Sequence, residues 1–192
     1  MKVRLTATGT RPMIMHNVQL ASPLNRYAKA LKAANSKRVK TDEDRVAVAR
    51  IEFEGSLYFE PEVGPFVPGQ NVLASLVEGG RLTKAGKKIE RGVMIDDLSL
   101  PLIYRGPRDV EGLWGNGESE FVDVRTVVVM RAKIDRCRPI FKSWAFEADI
   151  TIDPSVIDLD EFQEVARNAG AMAGIGDYRR LFGRFDAQVD AL

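Results

Sequence analysis

AGAMAGIGDYRRLFGRF, residues 169–185, is the stretch on which the fold turns. Its glycines (Gly170, Gly174, Gly176, Gly183) are interleaved with Tyr178, Phe182 and Phe185 and with Arg179, Arg180 and Arg184. Glycine accepts positive φ and lets a backbone come close to another backbone or to a ligand. Arginine forks pair with phosphate oxygens, and aromatic faces stack on bases. Just ahead of a short last strand, such a loop has the make-up of a nucleic-acid backbone clamp. A glycine-dense turn whose aromatics plug the core has the same composition.

The flanks place the loop. Ile157 to Ala169 carries Leu159, Phe162, Val165 and Ala166 at helical spacing, and Arg184 to Val189 reads as a strand. Upstream, Trp144 to Ile152 alternates and stops at Asp153-Pro154. Phe121 to Ile134 is the strongest strand signal. Its alternation puts Val124, Thr126, Val128, Met130, Ala132 and Ile134 on one side and Arg125, Arg131 and Lys133 on the other. Residues 105–120 form a long loop bearing Trp114. Gln70 to Leu82 is a helix, with Gly55–Glu60, Val93–Ile95 and Leu98–Tyr104 extended around it. Pro61 to Gly69 reads as loop, and Ala85 to Lys88 as a basic turn. Ser22-Pro23 starts a helix through Ala34, and Thr41, followed by Asp42, Glu43 and Asp44, starts another. Val3 to Thr8 is a half-buried strand. With residues 20–60 taken as an inserted basic helical subdomain, the order reduces to β-α-β-β-α-β. That pattern is α+β and ferredoxin-like (RRM-like), an antiparallel sheet with helices on one face. The sequence therefore predicts a single domain over residues 1–192, with that insertion, the loop at 105–120 and the C-terminal glycine-rich loop.

Composition bounds the rest. At 192 residues, 45% hydrophobic and 29% charged, the chain suits a soluble domain. No apolar run approaches the roughly 18 residues of a membrane span. The N-terminus alternates like a strand and lacks a secretory apolar core. One cysteine, Cys137, and one histidine, His16, argue against an internal disulfide or structural zinc. The expectation is a cytoplasmic protein with no cofactor, no metal and no membrane partner.

Net charge is +1, but it is segregated. Residues 26–50 are rich in Lys and Arg, among them Lys37, Arg38 and Lys40, and residues 81–91 and 125–142 are basic as well. Residues 147–192 hold ten acids and four arginines. Segregated charge can present a basic groove to phosphates. It can also stack copies of the chain, acidic face to basic face.

The segment GIGDYRRLFGRF (174–185), following a helix in a ferredoxin-like order, resembles the RAMP superfamily of CRISPR systems. The likeness is to the crRNA-binding backbone subunits and is specific over about the last thirty residues. The whole chain also resembles a group of bacteriophage proteins with the same ending and a similar Thr-Asp-Glu-Asp-Arg segment at Thr41. The resemblance implies binding of single-stranded nucleic acid along the sheet face and glycine loop. It also implies an inserted thumb, at residues 20–60 or 105–120, and homo-oligomers or filaments along the strand. A phage relative acting in the host cytoplasm fits better than a subunit of a CRISPR complex.

Binding residues follow from both lines. Arg179, Arg180 and Arg184 are the first choices for phosphate, with Gly174 and Gly176 shaping the loop. Arg125, Arg131 and Lys133 add one sheet face, and Lys37, Arg38 and Lys40 the basic helices. Tyr178, Phe182 and Trp114 are the stacking candidates. Three functions stand: a non-enzymatic single-strand DNA or RNA coat, a metal-independent endoribonuclease using His16, and an assembly protein that binds no nucleic acid. Histidine is the side chain suited to acid–base catalysis near neutral pH, but His16 sits in the apolar setting MIMHNV. Asp96 and Asp97 with Asp123 are the weak metal candidates.

Overall fold

Strict alternation opens the chain: β1 (Lys2–Gly9) buries Val3, Leu5 and Ala7 and turns Lys2, Arg4, Thr6 and Thr8 the other way. The computed structural model describes residues 1–129 and 131–192. After β1 come β2 (Met13–Ile14), α1 (Arg26–Asn35), α2 (Asp42–Ser56), β3 (Phe59–Glu60), β4 (Gly64–Pro68), α3 (Gly69–Arg81) and α4 (Gly86–Gly92). Then follow β5 (Val93–Ile95), β6 (Ser99–Pro101), α5 (Val110–Trp114), β7 (Val122–Val129), β8 (Ala132–Phe141), β9 (Ala145–Ile152), α6 (Leu159–Asn168) and β10 (Phe185–Ala191). The architecture is α+β with antiparallel sheets. The chain divides into two compact units, one of residues 1–13, 59–105 and 142–192, the other of residues 14–58 and 106–141.

The first unit is built on a sheet of order β10-β1-β9-β5, each neighbour antiparallel. Leu5 stands opposite Val189 on one side and Ala148 on the other. Phe146, Ala148, Ile150, Ile152, Phe185 and Val189 thus join Val3, Leu5 and Ala7 in one buried layer. α3 and α6 pack against each other and add Val72, Leu76, Phe162, Val165 and Ala166 to the core. α6 starts cleanly because the Asp158 side chain accepts the Glu161 N–H. A smaller sheet, β3-β4-β6, completes the unit.

In the second unit, α2 opens with a capping box between Thr41 and Asp44 and runs to the buried Phe53, Gly55 and Ser56. It packs on β8, the central strand of the sheet β2-β8-β7. Glu52, only 6% exposed, accepts the Cys137 N–H at 3.0 Å and the Arg136 guanidinium. Phe53 meets Trp114 edge-on, with ring centroids 5.3 Å apart.

Several expectations change here. Phe121–Ile134 is not one strand but the first arm and turn of a hairpin. Val129 pairs directly with Ala132, so the chain reverses between them, with Arg131 at φ 70°. Met130, assigned to the strand by its alternation, lies outside the described residues. Gly55 lies in the last turn of α2 instead of starting a strand, and a Cβ there would lie 2.6 Å from Leu20 Cδ2. The Pro/Gly stretch before α3 holds β4, whose prolines sit at its second and last positions, near the strand ends. The basic turn at Lys87 and Lys88 belongs to α4, and the loop at 105–120 contains α5. No helix among the described residues is long and apolar enough to cross a membrane.

Candidate nucleic-acid interface

The glycine loop is first a piece of backbone packing. α6 passes into a π-helical turn, Ala169–Ala173, which ends at Gly174 with φ 71° and ψ 178°. The Gly174 N–H donates to Ala169 O at 2.7 Å, and Ser75 Oγ donates to the Gly174 carbonyl at 2.9 Å. Ile175 N–H donates to Gly183 O at 2.9 Å, which closes the loop on itself. Gly183 N–H donates to Pro12 O at 2.8 Å and ties the loop to the turn after β1. A Cβ at Gly183 would stand 1.7 Å from Ile175 O, and one at Gly170 would stand 2.1 Å from Phe185 O. These two glycines and the buried Phe185 serve packing. Phe185 lies in an aromatic cluster with Trp144 and Phe146.

The outward side of the loop is different. Tyr178 is 48% exposed and held at φ 55°, and Gly176 beside it has φ 82°. Arg179 and Arg180 are exposed, and neither makes an ion pair or a side-chain hydrogen bond among the described residues. Phe182 is half-buried. Arg184 is half-buried, and its Nη1 is buried with no hydrogen-bond partner. The Arg184 carbonyl accepts Thr10 N–H at 2.8 Å and Arg11 N–H at 3.2 Å. Arg11 is a residue the sequence reading missed. Its carbonyl is fixed by Trp144 Nε1 at 2.8 Å, which holds a fourth arginine backbone beside the loop. The turn Gly-Thr-Arg-Pro at residues 9–12 was its only sequence signal.

The open face of the main sheet has the opposite character. Lys2, Arg4, Thr6 and Thr8 share it with Glu147, Asp149, Thr151, Asp186, Gln188 and Asp190, and no aromatic ring stands among them. Arg4 forks onto Asp149 at 2.7 and 3.0 Å. Lys2 reaches Asp96 at 3.0 Å, and Thr151 Oγ donates to Asp96 at 2.9 Å. Those hydrogen bonds, from Arg4 to Asp149 and from Lys2 to Asp96, hold both carboxyls below the ordinary carboxylate range. Both cations of this face are thereby engaged, while Glu147, Asp186 and Asp190 add further negative charge.

In the second unit, three of the sequence candidates converge. Lys40, Lys133 and Trp114, from separate segments, line one groove of about 570 Å³. Arg45, Val46, Ala49 and Val124 line it too. Trp114 is 5% exposed, with Gly117 against its ring edge and Arg50 over its face at 5.7 Å. That ring is a packing anchor with no face free for a base. The hairpin also separates the basic residues expected on one face. Arg125 pairs with Arg136, and Lys133 pairs with Val128 three register steps away, an odd number, so Arg125 and Lys133 point to opposite faces. Arg125 is also forked onto Asp123, Nε to Oδ2 at 2.6 Å. Lys37 is held by Asp44 at 2.6 Å, Arg38 is exposed, and Arg131 is exposed at the hairpin turn.

His16 is exposed, following the buried Met13, Ile14 and Met15, and its carbonyl faces the Tyr58 hydroxyl at 3.4 Å. No group of three or more His, Cys, Asp or Glu among the described residues could hold a metal ion. Cys137 is buried, and burial pushes its thiol up to about 12, far from a reactive thiolate. Comparison with protein-family models finds no match for this chain, and comparison with curated proteins finds none.

Proposed function

We propose that this chain binds single-stranded nucleic acid, DNA or RNA, without reading its sequence, and that copies line up along the strand. The observation that carries the reading is the outward side of residues 178–184. Arg179 and Arg180 are exposed there and make no ion pair or side-chain hydrogen bond among the described residues, and the half-buried Arg184 follows them in the same loop. Tyr178 presents a half-exposed ring beside these cations. Carboxylates on the open sheet face argue that the strand runs over the loop and not across that face.

Within this reading the first unit is a ferredoxin-like core of RAMP type, and residues 14–58 and 106–141 are its insertion. Support comes from the strand order β10-β1-β9-β5 and its antiparallel neighbours. The test is a salt titration of binding to a labelled oligo-dT or oligo-U strand. For single strands, log K falls with log salt by about 0.7 for each phosphate contact. Replacing Arg179 and Arg180 together by Ala should lower that slope by roughly 1.4. An unchanged slope would remove these arginines from the phosphate path.

A further inference from the structure

We propose that β7 is the seam of a symmetric dimer, in which it pairs antiparallel with β7 of a second copy of this chain. The inference concerns the second unit alone and does not depend on the nucleic-acid reading. β7 is the outer strand of the sheet β2-β8-β7 and, at 8 residues, the longest edge strand among the described residues. The next longest edge, β10, is covered. Gln163 Nε2 donates to Val189 O at 3.1 Å, and Gly170 lies close against Phe185 O. β7 holds no proline or lysine, and its pairs with β8 run from Val122 to Val129 without a bulge. Prolines, lysines and bulges are among the devices that keep edges from pairing.

The backbone shows which positions are open. Ile140 N–H donates to Phe121 O at 2.9 Å, and in an antiparallel ladder alternate residues face the partner strand. Asp123, Arg125 and Val127 therefore turn their N–H and C=O groups to β8, while Val122, Val124, Thr126 and Val128 turn theirs outward. Ser119 O takes the Val122 N–H at 3.1 Å. The outward backbone groups of Val124, Thr126 and Val128 have no partner among the described residues. The side chains agree, since Val124 is 60% exposed and Val128 69% exposed. A strand laid along this edge pairs those groups and takes Val124 out of water.

Charge selects a second copy as that strand and sets its register. A two-fold axis at Val124 puts Val124 opposite Val124, and Asp123 of each copy opposite Arg125 of the other. The Val124 backbone groups then pair across the axis, and each Thr126 N–H reaches the partner's Val122 O. Asp123 and Arg125 share one face of β7 and already fork onto each other within the chain, Nε to Oδ2 at 2.6 Å. The dimer sets two such forks side by side with their signs alternating. The inner strand does not oppose this. Arg136, opposite Arg125, is held by Glu52, and Arg138 stands opposite the acid Asp123. Other registers lose the match. An axis at Arg125 sets Arg125 against Arg125, one at Asp123 sets Asp123 against Asp123, and one at Thr126 sets Arg125 against Val127. A two-fold contact uses the same patch on both copies and closes at two.

The test is sedimentation velocity of the full chain, free of nucleic acid, over a wide range of concentration, with circular dichroism to check the fold of each variant. Wild-type protein should form a dimer and nothing larger. Arg125→Asp sets acid against acid and should weaken the dimer about tenfold or more. Val124→Arg sets like charges together on the axis, at an exposed position and with the Asp123–Arg125 fork untouched, and should weaken it as much. Asp123→Arg combined with Arg125→Asp exchanges the two signs. That protein should dimerise with itself and not with wild-type protein, a result that a merely altered fold would not give. Wild-type protein that stays monomeric, or that keeps growing beyond a dimer, would overturn the inference. So would a folded Val124→Arg that dimerises like wild type, or a folded double variant that mixes freely with it.

Discussion

Gly183 shows what a single residue contributes to this loop. Its φ of 68° and the 1.7 Å that would separate a Cβ from Ile175 O leave no room for a side chain. Gly183→Ala must move two backbone segments apart, so it should cost at least about 2 kcal/mol of stability in urea unfolding. The glycine density was legible in the sequence, and so was the split between clamp and packing. Which glycine serves which role was not legible, because backbone approach depends on partners such as Phe185 O and Pro12 O that are distant in sequence or set by the turn. Trp114 was misread for a similar reason. A tryptophan among glycines looks exposed, yet Phe53 from α2, some sixty positions away in the chain, covers it.

Elements carried most of the legible signal. The helix at Gln70–Leu82 and the strands at Val3–Thr8 and Trp144–Ile152 lie within a residue or two of their expected places. Each is written by a single period of apolar residues. The stretch Phe121–Ile134 was harder, because period-2 alternation continues unbroken in the sequence past Val129, where the pairing with Ala132 reverses the chain, and gives no mark of it. The basic residues it carries were therefore assigned to one face and lie on two. Pairing across β1 and β9 makes a pH prediction at this scale. Asp149 titrates below its ordinary value because Arg4 donates to it. A carboxyl depressed in the folded state stabilises above its unfolded pKa, and that contribution is lost as pH falls through the folded value. Asp149→Asn should therefore flatten the loss of stability on acidification below about pH 4, measured as thermal midpoint against pH. An identical acid limb in the variant would show that the Arg4–Asp149 fork contributes nothing.

At the scale of the whole molecule, charge is sorted by surface. The open sheet face of the first unit is carboxylate-rich and internally paired, while Arg179 and Arg180 of the loop make no ion pair among the described residues. The sequence showed this segregation as blocks along the chain. It could not show that Lys2 and Arg4 would be consumed by Asp96 and Asp149, or that Lys40 and Lys133 would meet across one groove. Those facts depend on strand register and on the packing of α2 against β8. Fluorescence anisotropy of labelled single-stranded DNA, single-stranded RNA and duplex, with wild-type protein and with the Arg179→Ala, Arg180→Ala, Arg184→Ala variant side by side, tests the central claim most directly. Salt-sensitive binding of a single strand, weakened about tenfold or more in the variant, is the predicted result. Absence of binding to all three nucleic acids at low salt, or equal binding by the variant, would contradict it.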